Sequence, residues 1–340
     1  MTHPFVSLAA DQRLTLEPTL HQDASAHLWS QPEIRALKLA WAAKRPLLLR
    51  GDPGTGKTQL ARAVAQHLQW QLLSETVHPR FEAADLVYRF DAVRRLADAQ
   101  ANRYDEAKEP SYWHPGVLWQ AFGWVSATKY GAFMGKRPKK PKGHVILIDE
   151  IDKADSDLPN SLLEVLGQRS FRIPQLDLAI GDANAQQPLI LITTNEEREL
   201  PPAFLRRCIV LNLDPAPQDD YTQWLLRRGQ AHYGKHEDQA KARIPDGVLQ
   251  LAALQLAADR VAARSASLPP PGPAEYLDLL AALHELAPGD SKRQRTLIEE
   301  LSAYAFVKHA TQHDRDDLSQ RRGPVSVNQA SPAATPPSAD

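Results

Sequence analysis

A single cysteine and the lack of any long apolar run set the first limits on this 340-residue sequence. Cys208 has no second cysteine to form an intramolecular disulfide, and one thiolate cannot build a multi-thiolate metal site. No apolar run approaches the roughly 20 residues that are needed to cross a bilayer. The N-terminal stretch lacks a basic segment followed by an apolar one, so we expect no secretory signal. These absences favour a soluble, cytoplasmic protein.

An excess of charge of one sign is also lacking. Lys and Arg total 40 while Asp and Glu total 41, so the formal net charge is −1. Proteins that bind nucleic acid or an anionic membrane through bulk electrostatics carry a positive excess. We therefore expect no membrane partner and no general nucleic-acid partner. The basic run over 136–142 is the local exception. Its prolines favour a solvated loop over a site that binds nucleic acid or an acidic client.

Short aliphatic runs alternate with segments whose apolar residues recur at helical spacing. The runs predict strands over 46–50, 144–148, 189–193 and 208–212, and the predicted helices cover 32–43, 59–70, 83–102 and 158–166. Ser30 is placed to cap the first helix, and Leu86, Phe90, Val93 and Ala97 share one face of the third. The alternation predicts a parallel sheet covered by helices on both faces, the α/β class. Residues 170–181 alternate around Pro174, which predicts a hairpin.

The pattern divides the chain into four stretches. Residues 1–29 have no sustained period and are interpreted as an extended lead-in with one short strand. Residues 30–215 carry the α/β pattern, and residues 216–312 are wholly helical, which predicts a smaller second domain. Residues 313–340 end in Ser-Pro-Ala-Ala-Thr-Pro-Pro-Ser-Ala-Asp, a composition that predicts disorder because it can bury little apolar surface.

A glycine-rich loop between a predicted strand and a predicted helix is the strongest motif. It matches the phosphate-binding pattern G-x-x-x-x-G-K-[ST]. Its members are Gly51, Asp52, Pro53, Gly54, Thr55, Gly56, Lys57 and Thr58. Glycines let backbone N–H groups turn toward phosphate oxygens, and the following helix adds the positive end of its dipole. We expect Lys57 to neutralise the β- and γ-phosphates of a nucleotide and Thr58 to ligate Mg²⁺.

Two acidic residues, Asp149 and Glu150, end the aliphatic run 145–148. A carboxylate at the end of a buried strand beside a phosphate loop can hold Mg²⁺ directly or through water, which is the role predicted for Asp149. The neighbouring Glu150 can orient and deprotonate an attacking water as a general base.

Three further residues are candidates for the same chemistry. Asn195 follows the strand 189–193, and its amide could hold the water against the γ-phosphate from the side opposite Glu150. Arg206 and Arg207 follow Leu-Pro-Pro-Ala-Phe-Leu. A guanidinium at the edge of one subunit can neutralise transition-state charge on a neighbour's γ-phosphate, which would link catalysis to assembly. The pattern leaves open which of the two arginines acts.

Taken in order, the segments GDPGTGKT, VILIDEIDKAD, LITTN and LPPAFLRRC resemble an AAA+ ATPase of the MoxR family, in the dynein-related, helix-2-insert clade. The resemblance covers about residues 30–310. It implies a P-loop NTPase αβα sandwich with a parallel sheet, followed by a small all-α lid, in a ring that is typically hexameric. Residues 104–143 and the hairpin 170–181 resemble two inserts that this clade directs toward the central pore.

The resemblance also assigns residue roles. It implies Walker A at residues 51–58, Walker B at Asp149 and Glu150, sensor 1 at Asn195 and an arginine finger at Arg206 or Arg207. One departure concerns the lid, where related proteins often carry an arginine in a Gly-Pro-Arg context. This sequence has Ala274 there. Either Arg260 or Arg264 substitutes from the preceding helix, or the lid senses nucleotide only weakly.

The resemblance implies ATP and Mg²⁺ as ligands, a self-assembled ring, and chaperone-like remodelling of a protein client, often with a von Willebrand factor A-domain partner. Three alternatives stay open: an activase of one metabolic enzyme, as in the CbbQ/NirQ relatives; an ATP-dependent assembly switch in signalling or defence; and a DNA-directed motor, which the near-neutral charge disfavours.

A dense aromatic cluster in the first insert either packs that insert down or contacts a client. Its members are Tyr112, Trp113, Trp119, Phe122 and Trp124.

Overall fold

A computed structural model describes most of the chain. The described residues are 3–19, 25–133, 135–136, 138–155, 157–181, 186–215, 220–235 and 243–306, so the predicted disordered tail lies outside them. The chain divides into two compact units. The first comprises residues 1–51 and 56–213, and the second comprises residues 52–55 and 214–340. Four residues of the glycine-rich loop therefore group with the second unit.

The regular elements follow one another in a mixed order along the chain. The strands are β1 (Arg13–Leu16), β2 (Ser25–Leu28), β3 (Leu47–Arg50), β4 (Gln71–Thr76), β5 (Tyr88–Phe90), β6 (Trp113–Pro115), β7 (His144–Asp149), β8 (Phe171–Ile173), β9 (Leu178–Ile180), β10 (Leu189–Thr193) and β11 (Ile209–Asn212). The helices are α1 (Gln31–Ala43), α2 (Lys57–Leu68), α3 (Ala83–Val87), α4 (Ala92–Gln100), α5 (Val117–Phe122), α6 (Trp124–Ala127), α7 (Asp157–Gln168), α8 (Pro202–Leu205), α9 (Tyr221–Tyr233), α10 (Asp246–Ser265), α11 (Pro273–Leu286) and α12 (Ser291–Ala305).

A five-stranded parallel sheet organises the first unit, in the order β11-β3-β10-β7-β4. Along each strand the side chains alternate between two buried clusters. Leu48, Ile146 and Ile148 enter one cluster, whereas Leu47 and Leu147 enter the other. Helices α1 and α2 cover one face, and α5 and α7 cover the other. The predicted α/β fold with a two-sided parallel sheet is thereby confirmed.

The four predicted strands of this sheet are present within one or two residues of their expected bounds. The edge strand β4 escaped prediction because its sequence, Gln-Leu-Leu-Ser-Glu-Thr, has neither an aliphatic run nor a strict alternation. The predicted cap of α1 is also confirmed. The Ser30 hydroxyl accepts a hydrogen bond from the Glu33 backbone N–H at 3.3 Å, and the Glu33 carboxylate accepts one from the Ser30 N–H at 2.7 Å. This reciprocal pair is a capping box.

The predicted continuous helix over 83–102 is wrong. The chain instead forms α3, then β5, then α4, because β5 pairs antiparallel with β6 and pulls residues 88–90 out of helical geometry. Asp91 then caps α4 by accepting from the Arg94 N–H at 2.9 Å. The expected common face does not form, since Leu86 is buried whereas Val93 is 81% exposed.

Two smaller antiparallel pairs complete the first unit. The predicted hairpin at 170–181 is present as β8 and β9, joined through a short 3-10 turn at Pro174–Leu176. The N-terminal stretch contains two paired strands, β1 and β2, where one was expected. Phe5, Leu16 and Trp29 of this stretch are buried in the same cluster as α1 and α2, so the stretch is part of the core of the first unit.

The aromatic cluster of the first insert packs inward. All five members are buried, and the Trp119 indole N–H donates to the Ser126 hydroxyl at 2.9 Å. Of the two interpretations, the structure therefore favours packing of the insert over client contact.

The second unit is built on the helices α9 to α12, as the helical pattern predicts. Its core includes Leu249, Leu256, Tyr276, Leu280 and Ile298. The proline-rich stretch 268–273 forms the predicted loop between α10 and α11, and its last residue, Pro273, begins α11. Across both units, no helix of the described residues is long and apolar enough to cross a bilayer.

Candidate functional site

The glycine-rich loop follows β3 and leads directly into α2. Its glycines adopt left-handed backbone angles, with φ of 142° at Gly51 and 98° at Gly56, a region that other residues enter only at a cost. Lys57 is only 8% exposed, and its ammonium donates to the Gly51 carbonyl oxygen at 2.5 Å. The loop therefore curls around the lysine at the N-terminus of α2, a geometry that suits an anion.

The carboxyl ends of β3, β10 and β7 meet at one edge of the sheet because the three strands are parallel and adjacent. Thr58, in the first turn of α2, donates from its hydroxyl to Asp149 Oδ2 at 3.1 Å. The other Asp149 oxygen, Oδ1, accepts from the hydroxyl of Thr193 at the end of β10. The structure thus brings together the two residues predicted as metal ligands and adds a third residue, Thr193, behind them.

Glu150 directly follows β7 in a left-handed conformation, with φ of 61°. Its backbone N–H donates to the Thr193 hydroxyl oxygen at 2.8 Å. Its carboxylate lies between two donors: the Lys153 ammonium is 2.7 Å from Oε2, and the Asn195 side-chain amide is 3.5 Å from Oε1. Asn195 and Glu150 are therefore neighbours at the carboxyl edge of the sheet.

A buried carboxylate, that of Asp152, binds the backbone of the loop that carries Asn195. Asp152, in the 3-10 turn Ile151–Lys153, is 2% exposed. Its Oδ2 accepts hydrogen bonds from the backbone N–H groups of Asn195 at 3.2 Å and Glu197 at 2.9 Å. The turn after β7 and the loop after β10 are thereby tied together.

The two candidate arginines lie elsewhere on the first unit. Arg206 and Arg207 follow α8, and both are exposed. The Arg207 guanidinium donates to the Ala203 carbonyl at 3.4 Å within its own turn. In the part of the chain that the structure describes, neither arginine contacts the carboxylate of Asp149 or Glu150.

The loop tip, residues 52–55, has its own contacts within the second unit. Arg260 forms an ion pair with the Asp52 carboxylate. Arg228 donates from its guanidinium to the Thr55 carbonyl at 3.1 Å. Two arginines of the helices α9 and α10 thus hold the side chain and the backbone of the tip.

The place of the expected lid arginine can be described in the same unit. An added Cβ at Gly54, where φ is 81°, would lie 2.4 Å from the Ala274 Cβ, so glycine and alanine meet closely here. Of the two predicted substitutes, Arg260 contacts the loop tip through its ion pair with Asp52. No described contact joins Arg264 to the tip.

Three residues of the site were missed by sequence reasoning: Thr193, Asp152 and Lys153. Thr193 ends an aliphatic strand, and a polar residue at the carboxyl end of a central strand was a usable signal. Asp152 and Lys153 follow the acidic pair, but their partners on the 195–197 loop and on Glu150 depend on turn geometry that the sequence pattern does not reveal.

The sequence is similar to known proteins over part of its length. Residues 46–208 match the family described as AAA domain (dynein-related subfamily). Midasin of Giardia intestinalis is 27% identical over 191 residues, which are 54% of this chain and 3% of that protein. The ATP-dependent Clp protease ATP-binding subunit ClpC of Staphylococcus epidermidis is 30% identical over 165 residues, 46% of this chain and 17% of that protein. The chain thus spans a small fraction of these relatives.

One further curated relative and one solved structure are also similar to this chain. The chaperone protein ClpB of Lactiplantibacillus plantarum is 28% identical over 174 residues, 48% of this chain and 17% of that protein. A solved structure of the Thermotoga maritima RuvB Holliday junction branch migration motor aligns with 87% of this chain and 77% of its own at 19% identity, with a TM-score of 0.42. The family match covers the phosphate loop, the acidic strand end and the Asn195 loop. Residues 46–208 are therefore similar to the AAA domain of the dynein-related subfamily, and the chain has AAA+ ATPase homologues.

Proposed function

We propose that this protein hydrolyses ATP with Mg²⁺ at residues 51–58 and uses hydrolysis for chaperone-like remodelling of a protein client. One observation carries the proposal. The Thr58 hydroxyl and the Asp149 carboxylate, 91 residues apart in the chain, lie 3.1 Å apart at the carboxyl edge of the sheet. A hydroxyl and a carboxylate oxygen in contact beside a glycine-rich loop are what a magnesium nucleotide requires.

The residues present fit both ligands. Hard oxygen donors suit Mg²⁺, and Thr58 and Asp149 would hold it. When bound, it would neutralise charge on the β- and γ-phosphate oxygens. The loop glycines Gly51, Gly54 and Gly56 have positive φ and carry no side chain, and Lys57 stands at the start of α2.

Three residues of the chain would accept the proton, hold the attacking water and bind the phosphate. Glu150 would accept a proton from the attacking water, because its carboxylate is partly exposed at the strand end. Asn195 would hold that water against Glu150. Lys57 would exchange its bond with the Gly51 carbonyl for a phosphate oxygen.

Arg206 or Arg207 would complete the site of a neighbouring subunit. Both are exposed and away from their own chain's Glu150, which supports action in trans. Ring assembly follows from this proposal, with six subunits expected as in the MoxR family. We further propose that the inserts 104–143 and 170–181 face the pore, and that a protein client, with a von Willebrand factor A-domain partner, is engaged in the cytoplasm.

Two variants test hydrolysis. Lys57→Ala should abolish binding of a fluorescent ATP analogue. Glu150→Gln should bind the analogue normally and hydrolyse ATP at least about tenfold more slowly, by the usual size of general-base effects. Normal turnover by Glu150→Gln would refute the proposal for Glu150, and retained affinity in Lys57→Ala would refute the proposal for the loop.

Mixing experiments test the arginines. Rings that combine an Arg206→Ala or Arg207→Ala subunit with the Glu150→Gln subunit should recover part of the turnover, since a hybrid junction then holds one intact glutamate and one intact arginine. No recovery in mixed rings that are shown to form would contradict action in trans.

A second candidate is an ATP-dependent assembly switch in signalling or defence. It is favoured by Ala274, which puts a methyl group beside Gly54 where related lids often carry an arginine. Nucleotide-dependent assembly with negligible turnover would support the switch. Proteins that co-purify with the Glu150→Gln variant would separate a general remodeller from an activase of one enzyme, as in the CbbQ/NirQ relatives.

A further inference from the structure

Within the described part of the chain, Asp152 is a buried carboxylate with one unpaired oxygen, and stability alone does not explain a residue of this kind. The residue is 2% exposed, yet its Oδ1 has no hydrogen-bond partner among the residues that the structure describes. A buried polar atom without a partner destabilises a fold, and a carboxylate does so more than a neutral group. An apolar residue of similar volume would remove that penalty, but it would leave the groups bound by the other carboxylate oxygen without their partner. The carboxylate is therefore better explained by what its other oxygen holds.

That other oxygen, Oδ2, holds the loop after β10 by its backbone. It accepts from the Asn195 N–H at 3.2 Å and from the Glu197 N–H at 2.9 Å. Between them, the Glu196 N–H donates to the Thr194 hydroxyl at 2.9 Å. Three consecutive N–H groups are thus satisfied from inside the protein, two of them by one oxygen, so this oxygen determines where the Asn195 backbone lies.

The position of that backbone matters because the contact between the Asn195 amide and Glu150 allows little displacement of Asn195. Its amide nitrogen is 3.5 Å from Glu150 Oε1, at the outer limit of a hydrogen bond. A shift of the loop by a fraction of an ångström outward would break the contact, whereas a comparable shift inward would shorten it to an ordinary length. Displacements of this size at a catalytic group change rates strongly.

We propose that Asp152 is a positioning residue for ATP hydrolysis: by accepting from the backbone N–H groups of Asn195 and Glu197, it fixes the Asn195 amide against the Glu150 carboxylate. Asp152 itself touches no reacting atom. Its effect passes through Asn195, and this inference rests on the proposed roles of Asn195 and Glu150.

A double-mutant cycle on the full chain tests the proposal. Asp152→Ala should lower kcat for ATP at least about tenfold. Its affinity for a fluorescent ATP analogue should stay within about twofold of the wild type, because the residue contacts no part of the phosphate loop. Combined with Asn195→Ala, which should itself lower kcat, it should cause no further loss. Additive losses would overturn the proposal, and so would a parallel loss of nucleotide affinity, which indicates a general structural defect.

Two more variants sharpen the cycle. Asp152→Asn keeps a side-chain oxygen that can accept from the same N–H groups, so it should retain most of the kcat that Asp152→Ala loses. If Asp152→Ala does not fold, Asp152→Asn is the test, and a loss of kcat in this variant that adds to the loss in Asn195→Ala would overturn the proposal. The matched control is Asp155→Ala, in the same segment, whose side chain is 86% exposed and 3.6 Å from Arg198. It should leave kcat unchanged.

The outcomes separate this inference from the proposed function. Full turnover by Glu150→Gln refutes hydrolysis as proposed, whatever Asp152 does. An inactive Glu150→Gln together with wild-type turnover by Asp152→Ala, or with additive losses in the cycle, refutes the positioning role alone.

Discussion

Replacing Thr193 with valine should damage the site more than its conservative shape suggests. The side chain is fully buried, and its hydroxyl donates to Asp149 Oδ1 while accepting from the Glu150 N–H at 2.8 Å. Valine has nearly the same volume, so packing is preserved and both polar groups lose a partner. An orphaned buried group costs about 1–3 kcal/mol. Because Asp149 is half-buried and water can partly replace the hydroxyl, we expect a total loss of about 2–3 kcal/mol.

Urea unfolding followed by tryptophan fluorescence would measure that loss, and steady-state ATPase assays would measure its effect on turnover. We expect kcat to fall at least about tenfold, since Asp149 and Glu150 both lose a fixed neighbour. The control is Thr76→Val, the same substitution at an exposed position of β4 that pairs with Asp149 in the sheet. A Thr193→Val protein with wild-type stability and turnover would show that the hydroxyl does not organise the acidic pair.

Two further predictions concern groups away from the site. Burial lowers the pKa of His144 to about 4, so the folded protein resists its protonation while the unfolded chain does not. Stability should therefore fall, by up to about 3 kcal/mol, as pH drops from about 6.5 to about 4, and urea unfolding of His144→Leu should show a smaller decline; an equal decline would contradict this. Burial also raises the pKa of the Cys208 thiol to about 12. Iodoacetamide at pH 8 should label it at a normal rate after unfolding and far more slowly in the native protein, and equal rates would disprove the protection.

Much of the first unit was predictable because local signals and the fold agree there. Ser30 and Glu33 form a capping box within one turn, and the helix begins where that signal predicts. The strands β3, β7 and β10 are mostly aliphatic because the sheet buries them on both faces, and this distinguishes them from the amphipathic segments around them. The glycine-rich loop is recognisable since its conformation requires glycine at fixed positions.

The helix predicted over 83–102 failed for a nonlocal reason. Leu86, Phe90 and Val93 have helical spacing, and nothing within that segment marks a strand. The competing signal lies at residues 113–115, which pair with residues 88–90 and bring Phe90 to within 4.6 Å of Trp113 between ring centroids. Antiparallel pairing across such a separation depends on tertiary packing, which overrides the local preference.

The residues of the candidate site also divide into those with a local sequence signal and those that depend on nonlocal contacts. Lys57, Thr58, Asp149 and Glu150 were predictable because their motifs are contiguous in sequence. Thr193 and its neighbours were not, since the Thr193 hydroxyl meets Asp149 and Glu150 across 44 and 43 residues. Only the adjacency of β7 and β10 in the sheet makes these contacts, and strand order cannot be derived from the pattern of either strand.

The backbone of Glu150 extends this argument to the chemistry. Lys44 and Gln69 also have positive φ, but each closes a helix, where the left-handed conformation is the ordinary way to end. Glu150 instead follows a strand, and a left-handed residue there costs about 1–2 kcal/mol. Its own contacts offset that cost, since the N–H is bound by Thr193 and the carboxylate by Lys153. The same conformation turns the carboxylate toward Asn195 on the neighbouring loop. The contacts with Thr193 and Lys153 that offset the backbone strain of Glu150 are therefore the ones that would position it as general base. Strained residues commonly occur at functional sites for this reason.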